Sequence, residues 1–299
     1  MVRCRPIPYF RGAIALPTVA AAVITVGCAA AAVSMAPTAF AASLSAEATS
    51  EPAAAGAAVT DGRTAVPKPD FRAEVISLAR ERAAKPYSPI PDVTGGALAR
   101  SYDSYRRIRF LEKNAHWYRR PPGFEVHPLP LGWLFKRPVR LLTLPRGASA
   151  PVPLTFPVSA FDDQRIGQPP APVIADMPLS GFRINGPLNA EARSDEIIAF
   201  QGASYFRALG KNHAYGLSAR GLAIGTASSR GEEFPEFQKF WIEEPALGAR
   251  EIVVHALLDS QSTTGAYRFR IRPGVETLID TDVTLFPRRD LAEIGIGRP

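Results

Sequence analysis

Between Phe237 and Glu243, a two-residue alternation sets Phe237, Lys239, Trp241 and Glu243 on one face of an extended run and Gln238, Phe240 and Ile242 on the other. Phe240 and Ile242 claim the core side. That leaves a large aromatic ring flanked by an ammonium and a carboxylate. Such a set suits a sugar, because the ring covers the apolar C–H face of a pyranose while the charged neighbours exchange hydrogen bonds with its hydroxyls. It equally fits a partly buried tryptophan with solvated neighbours, and this strand alone does not separate the two. Other polar groups could converge here: Glu232 and Glu233 just upstream, Tyr205 and Arg207 on one face of an earlier run, and Arg220 and Asp259 at strand ends. Glu232, Glu233, Glu243 and Asp259 could on chemistry alone supply the two carboxylates of glycoside hydrolysis, about 5 Å apart for retention or about 6.5–9.5 Å for inversion. A rim salt bridge or a turn cap explains each of them as well.

Several other chemistries lack their residues. His116, His127, His213 and His255 are scattered, with no H-E-x-x-H and no cysteine partner, so no metal site is expected. Tyr215-Gly216-Leu217-Ser218-Ala219-Arg220 resembles a serine elbow only superficially, because Arg220 stands where the second glycine must allow the tight turn. No glycine loop precedes a helix to cradle phosphate, and no cofactor is expected. Eleven Lys/Arg against three Asp/Glu between Arg100 and Arg146, interleaved with Tyr102, Tyr105, Phe110, Trp117 and Tyr118, could form a nucleic-acid surface. An exported protein meets few nucleic acids, so a solvated basic face is the better reading and no nucleic-acid partner is assigned.

The elements that must hold these residues are mostly strands. Asp70 can cap a helix with Phe71, Val75, Leu78 and Arg82 at i, i+4, i+7 and i+11, ending before Pro86. Beyond it the period changes to two. Tyr267 to Arg272 alternates strictly, and Ile252, Val254, Ala256 and Leu258 share a face. Similar runs cover about 139–144, 152–156, 196–208, 215–224, 237–244 and 275–286, separated by turn clusters such as Pro169-Pro170 and Asp259-Ser260-Gln261-Ser262. This spacing implies a mainly β protein, a large antiparallel β-sandwich with one short N-terminal helix. After Phe286, Arg288-Arg289-Asp290 and a short tail offer no further strand.

Composition agrees. At 299 residues, with a net charge of +7, 46% hydrophobic and 21% charged, the chain is neither collagen, coiled coil nor wholly disordered. Residues 1–41 have the parts of a secretory signal: a basic start, an apolar run from Ala13 to Val33, and Ala39-Phe40-Ala41 as a cleavage site before Ala42. A membrane anchor would need a more lipophilic run than this alanine-rich stretch. Lipoprotein processing at Cys28 is disfavoured by Thr25, which stands where a larger aliphatic residue is usual. Both cysteines, Cys4 and Cys28, precede Ala42, which suits the oxidising bacterial periplasm. Residues 42–69 are Ala, Ser, Thr, Pro and Gly with almost no large apolar side chain, and read as a flexible leader. The folded part is then 70–299.

Five blocks in order make a family resemblance specific: Gly202 to Arg207, Tyr215 to Ile224, Gly231 to Pro235, Phe240 to Glu243, and Ala256 to Ser260 with Thr264 to Tyr267. They closely resemble the periplasmic glucan biosynthesis proteins MdoG/OpgG and OpgD. Tyr102 to Arg106 with Ile108 to Phe110, Trp117, Gly181 to Arg183 and Pro187 to Asn189 follow the same pattern more loosely, so the likeness runs from about 71 to 296. The resemblance implies a galactose-mutarotase-like β-sandwich with a long cleft, followed by a smaller immunoglobulin-like domain. It also implies action on osmoregulated periplasmic glucans of β-1,2-linked glucose, with glucan-synthesis machinery at the inner membrane as a partner. Some members are endo-β-1,2-glucanases. Their acid and base lie in the part of the family beyond this chain, which ends before the rest of the sandwich and the second domain. No catalytic residue is therefore assigned, and the enzyme question stays open. Tyr205, Arg207, Arg220, Glu232, Glu233, Lys239, Trp241, Glu243 and Asp259 stand as glucan-binding candidates. The alternatives are a non-enzymatic carbohydrate-binding accessory to glucan assembly or export, and an inactive fragment. The segment from Phe124 to Val139 departs from the pattern by lacking a glycine after His127-Pro128, and Phe161-Asp162-Asp163 matches only loosely.

Overall fold

The structure, a computed structural model, describes residues 22–26, 71–93, 101–162, 176–229 and 231–298. One sheet has seven strands in the spatial order β1 (Ala22–Val26), β14 (Leu278–Pro287), β13 (Thr263–Arg272), β12 (Ile252–Asp259), β11 (Glu236–Glu243), β4 (Arg140–Leu144) and β5 (Val152–Pro153). The other has six: β15 (Ile294–Arg298), β10 (Leu217–Ile224), β9 (Tyr205–Ala208), β8 (Asp195–Gln201), β7 (Leu179–Gly186) and β3 (Glu125–Pro130). A small ribbon joins β2 (Arg109–Phe110) to β6 (Phe161–Asp162). Pairing is antiparallel throughout these sheets except for β4, which runs parallel to β11.

The two large sheets face each other across an aromatic core, as the alternation predicts. Phe182 and Phe200 of the six-stranded sheet meet Phe240 and Phe269 of the seven-stranded one at ring-centroid distances of 5.0 and 5.2 Å. Tyr267 is wholly buried there, and its hydroxyl donates to the Gly221 carbonyl at 3.1 Å. Burial pushes that phenol far above its ordinary pKa and keeps it a neutral donor.

The helix α1 (Phe71–Ala83) lies on the opposite face of the seven-stranded sheet. Its residues Val75 and Ala79, one turn apart, have no exposure and rest on Trp241, Ala266 and Phe286. The Thr264 hydroxyl donates to the Ala79 carbonyl at 2.7 Å and fixes the helix in register with β13. Burying the Val75 side chain contributes about 1.5–3 kcal/mol, so a charge at that position would detach the helix. The expected cap, Asp70, lies outside the described residues, as does the leader over 42–69.

Some elements differ from expectation. The run 196–208 is two strands, because Gly202 and Ala203 both take positive φ and turn β8 into β9. A strand does follow Phe286: β15 pairs with β10, Ile296 opposite Leu222. Strands β3 and β7 form at Pro-rich and Gly-rich segments that lack a clear alternation. Ala22–Val26, inside the segment read as an export signal, pairs with Thr281–Leu285 at the sheet edge.

Candidate functional site

The predicted site residues fall into three separate groups. The first is the Trp241 strand. A bulge between Phe237 and Lys239 interrupts the alternation of β11, so Phe237 joins Phe240 and Ile242 in the inter-sheet core. Trp241 faces the other way, yet it is only 1% exposed, with its ring centroid 5.7 Å from that of Phe71. This corrects the expected sugar platform: α1 already covers the face that the alternation assigns to solvent. Lys239 places its ammonium 4.7 Å from the Trp241 ring centroid. Burial, seconded by Arg140, depresses the Lys239 pKa against the pull of Glu74. Glu243 hydrogen-bonds Nε2 of the fully buried His255 at 2.8 Å.

The second group does converge. Tyr205 and Arg220 are register partners on β9 and β10. The Arg220 guanidinium lies 5.2 Å from the Tyr205 ring centroid and 5.7 Å from that of Phe234, and it pairs with Glu232. Phe234 is 51% exposed, so an aromatic face, a fixed cation and a carboxylate reach solvent together. Arg207 belongs elsewhere, bound to Glu196 at 2.7 Å.

The third group is a staple. Asp259 has no exposure and holds Arg82 at 2.6 Å and Arg288 at 2.8 Å. Glu233 accepts from the Ser262 amide at 2.8 Å and hydroxyl at 2.5 Å, from the Ser260 hydroxyl, and from Arg289 at 3.1 Å. These carboxylates tie the β12–β13 turn to the chain following β14, and Asp259 also ties it to α1.

A further feature escaped the sequence reading. Between β3 and β4 the chain turns through Gly132 and Trp133, the latter in the left-handed region at φ 52°, and lays Trp133 against Tyr102 at 5.0 Å and Phe135 at 6.1 Å. Tyr105 completes the cluster, 5.8 Å from Phe135. The short helix α2 (Tyr102–Tyr105) carries both tyrosines. Its position is fixed by Tyr105, whose hydroxyl donates to the Pro130 carbonyl at 3.0 Å and accepts from Gln201 at 2.7 Å. Beside this cluster opens a pocket of about 200 Å³, lined among others by Phe135, Arg137, Ser180, Glu236 and Gln238. Arg137 is clamped between Asp92 at 3.0 Å and Glu236 at 2.6 Å. Tyr102 and Tyr105 are visible in sequence as aromatics in a basic stretch and as part of the looser family pattern, with nothing to mark them as a binding surface. Trp133 and Phe135 follow no period that would mark them.

Among the described residues no group of His, Cys, Asp and Glu is placed to hold a metal ion, and no helix is long and apolar enough to cross a membrane. Fold and surface thus define a mainly β sandwich whose polar sites mix aromatic rings with paired charges. Residues 71–298 match the model of the family described as "Periplasmic glucan biosynthesis protein, MdoG". The chain is 45% identical over 224 residues to a "Glucans biosynthesis protein G" of Rhodopseudomonas palustris, covering 75% of this chain and 44% of the relative. It has the same identity over the same length to one from Vibrio cholerae, covering 41% of that relative. Identity to "Glucans biosynthesis protein G 2" of Shewanella oneidensis is 43% over 242 residues, covering 81% of this chain and 45% of the relative. The chain belongs to the MdoG family of periplasmic glucan biosynthesis proteins, and it spans less than half the length of these relatives.

Proposed function

We propose that this chain acts in periplasmic glucan biosynthesis by binding a β-1,2-linked glucan, and that the part described binds the glucan without cleaving it. The observation that carries the second half is the state of the four candidate carboxylates. Glu232 is paired with Arg220, Glu233 with Arg289, Asp259 with Arg82 and Arg288, and Glu243 with His255. Hydrolysis needs two carboxyl groups facing one sugar across a set separation, whereas these four lie in three separate groups, each engaged with a side-chain partner of the fold. Tyr205, Arg220, Glu232 and Phe234 are the residues proposed to contact the glucan. The family description and the names of the relatives support the glucan, and the aromatic and charged make-up of this group supports contact with it. Delivery to the periplasm by a signal cleaved after Ala41, and contact with glucan-synthesis machinery at the inner membrane, belong to the same reading.

Calorimetry with linear β-1,2-glucan, followed by chromatography of the incubated glucan, tests both halves. Binding without shorter products is expected, together with roughly tenfold weaker binding by Arg220→Met, equivalent to about 1.4 kcal/mol. Shorter products made by the purified chain would overturn the binding-only role. Absence of any binding would overturn the glucan itself.

A further inference from the structure

We infer that the pocket beside Phe135, with the Tyr102–Trp133 shelf at its mouth, is a separate binding subsite for one neutral hexopyranose unit of a glucan chain. The inference rests on the glucan reading above and adds a location that none of the nine glucan-binding candidates read from sequence occupies.

Size comes first. A cavity of about 150 Å³ holds one six-membered ring such as benzene. The pocket's volume of about 200 Å³ is therefore enough to admit one sugar ring. Its hydrogen-bonding state comes next. Gln238 lines the pocket, and its side-chain amide nitrogen is buried with no hydrogen-bond partner. An unsatisfied buried donor is costly, and turning the Gln238 amide toward a hydroxyl in the pocket would relieve it. The bulge in β11 lies at this residue, between Phe237 and Lys239. Elsewhere on the wall, Ser180 accepts from Gln201 at 2.8 Å and donates to the Pro130 carbonyl at 2.8 Å, so that hydroxyl is already oriented.

Charge selects the ligand class. The ionisable lining residues are Asp92, Glu236, Lys136 and Arg137, two anions against two cations. Arg137 is spent on both carboxylates. A phosphate or carboxylate would find no net attraction there, whereas a polyol finds fixed donors and acceptors.

The shelf supplies the apolar half of the recognition. Phe135 lines the pocket and also touches Tyr105 and Trp133, so the two features are continuous. Tyr102 is 53% and Leu134 68% exposed. A bulky residue in the left-handed region is rare, and such conformations cluster at functional sites where the surroundings hold them. Trp133 meets that description.

Tryptophan fluorescence offers a local readout. Of the three tryptophans, Trp117 and Trp241 are buried, and only Trp133 is partly open. Titration of the full chain with defined β-1,2-gluco-oligosaccharides should shift the emission of the native protein, and Trp133→Phe should abolish the shift. Calorimetry should show about tenfold weaker binding for Trp133→Ala and for Gln238→Leu, with thermal unfolding unchanged for the second. Native affinity in both variants, alongside lost affinity in Arg220→Met, would overturn this subsite and leave the glucan reading intact. No binding of any oligosaccharide by the native chain would defeat both. Competition by inorganic phosphate at equal concentration would overturn the neutral ligand class.

Discussion

Arg82 of the N-terminal helix meets Asp259 at 2.6 Å across 177 residues of sequence, and the aspartate it reaches has no exposure to solvent. Arg288 contacts the same carboxylate at 2.8 Å, so one buried anion gathers the helix, the end of β12 and the segment after β14. Removing it leaves two guanidinium groups facing an empty site. Asp259→Ala should therefore lower stability by about 3–5 kcal/mol in urea unfolding, the usual cost of breaking a buried pair. Arg82→Ala should cost less, because its side chain is 29% exposed. A loss below about 1 kcal/mol for Asp259→Ala would mean that the helix is held by its apolar face alone.

Trp241 is core, and its truncation should behave accordingly. Trp241→Ala is expected to cost about 3–5 kcal/mol of unfolding free energy. Glucan affinity per folded molecule should not change. Weaker binding at unchanged stability would restore the sugar-platform reading and require α1 to leave the sheet when ligand arrives.

Acid should loosen the β3 end of the sandwich. Burial pushes the Glu125 carboxyl up, but hydrogen bonds from the Arg119 amide, Ser194 and His127 outweigh it and leave the pKa below the ordinary value. A folded-state pKa below the unfolded one adds stability above the carboxylate range, and that stability is lost as pH falls through the folded value. Native stability should accordingly decline from about pH 4 downward, and Glu125→Gln should flatten that decline while lowering stability at pH 7. Identical pH profiles for the two proteins would show that other carboxylates govern acid unfolding.

Export should remove β1. Cleavage after Ala41 takes away Ala22–Val26 and opens the edge of β14 from Thr281 to Leu285. Mass spectrometry of periplasmic protein should find Ala42 as the first residue, and amide exchange over 281–285 should be faster than in uncleaved chain. A chain beginning at acylated Cys28 would instead establish lipoprotein processing.

Where side-chain periodicity is regular, the sequence was legible. The alternation of Tyr267, Phe269 and Ile271 and the helical spacing of Phe71, Val75 and Leu78 both appear in the structure as read. Strands β3 and β7 were not legible. Pro128 and Pro130 sit in an edge strand where proline is tolerated. Gly181 is required in β7 because a Cβ there would overlap the Phe200 carbonyl. The environment of Trp241 was hidden for a different reason. Period 2 assigns faces but says nothing about a helix that covers the second face. The convergence of Tyr205 with Arg220 could be suspected from sequence, whereas the Trp133 shelf depends on a loop conformation that carries no periodic mark.

The parallel pairing of β4 with β11 has a kinetic consequence. Arg140 and Lys239 are partners although about a hundred residues separate them. No hairpin can bring them together, so the loop-closure entropy must be met before the pairing returns any energy. Strand β4 and its short partner β5 must wait while the chain between them and β11 builds β7 to β10, the four inner strands of the six-stranded sheet. Folding should then be slow, in the millisecond-to-second class of proteins dominated by non-local contacts. During that wait β4 presents an unpaired edge on the side that β11 later covers, and an unpaired edge is a template for pairing with another chain.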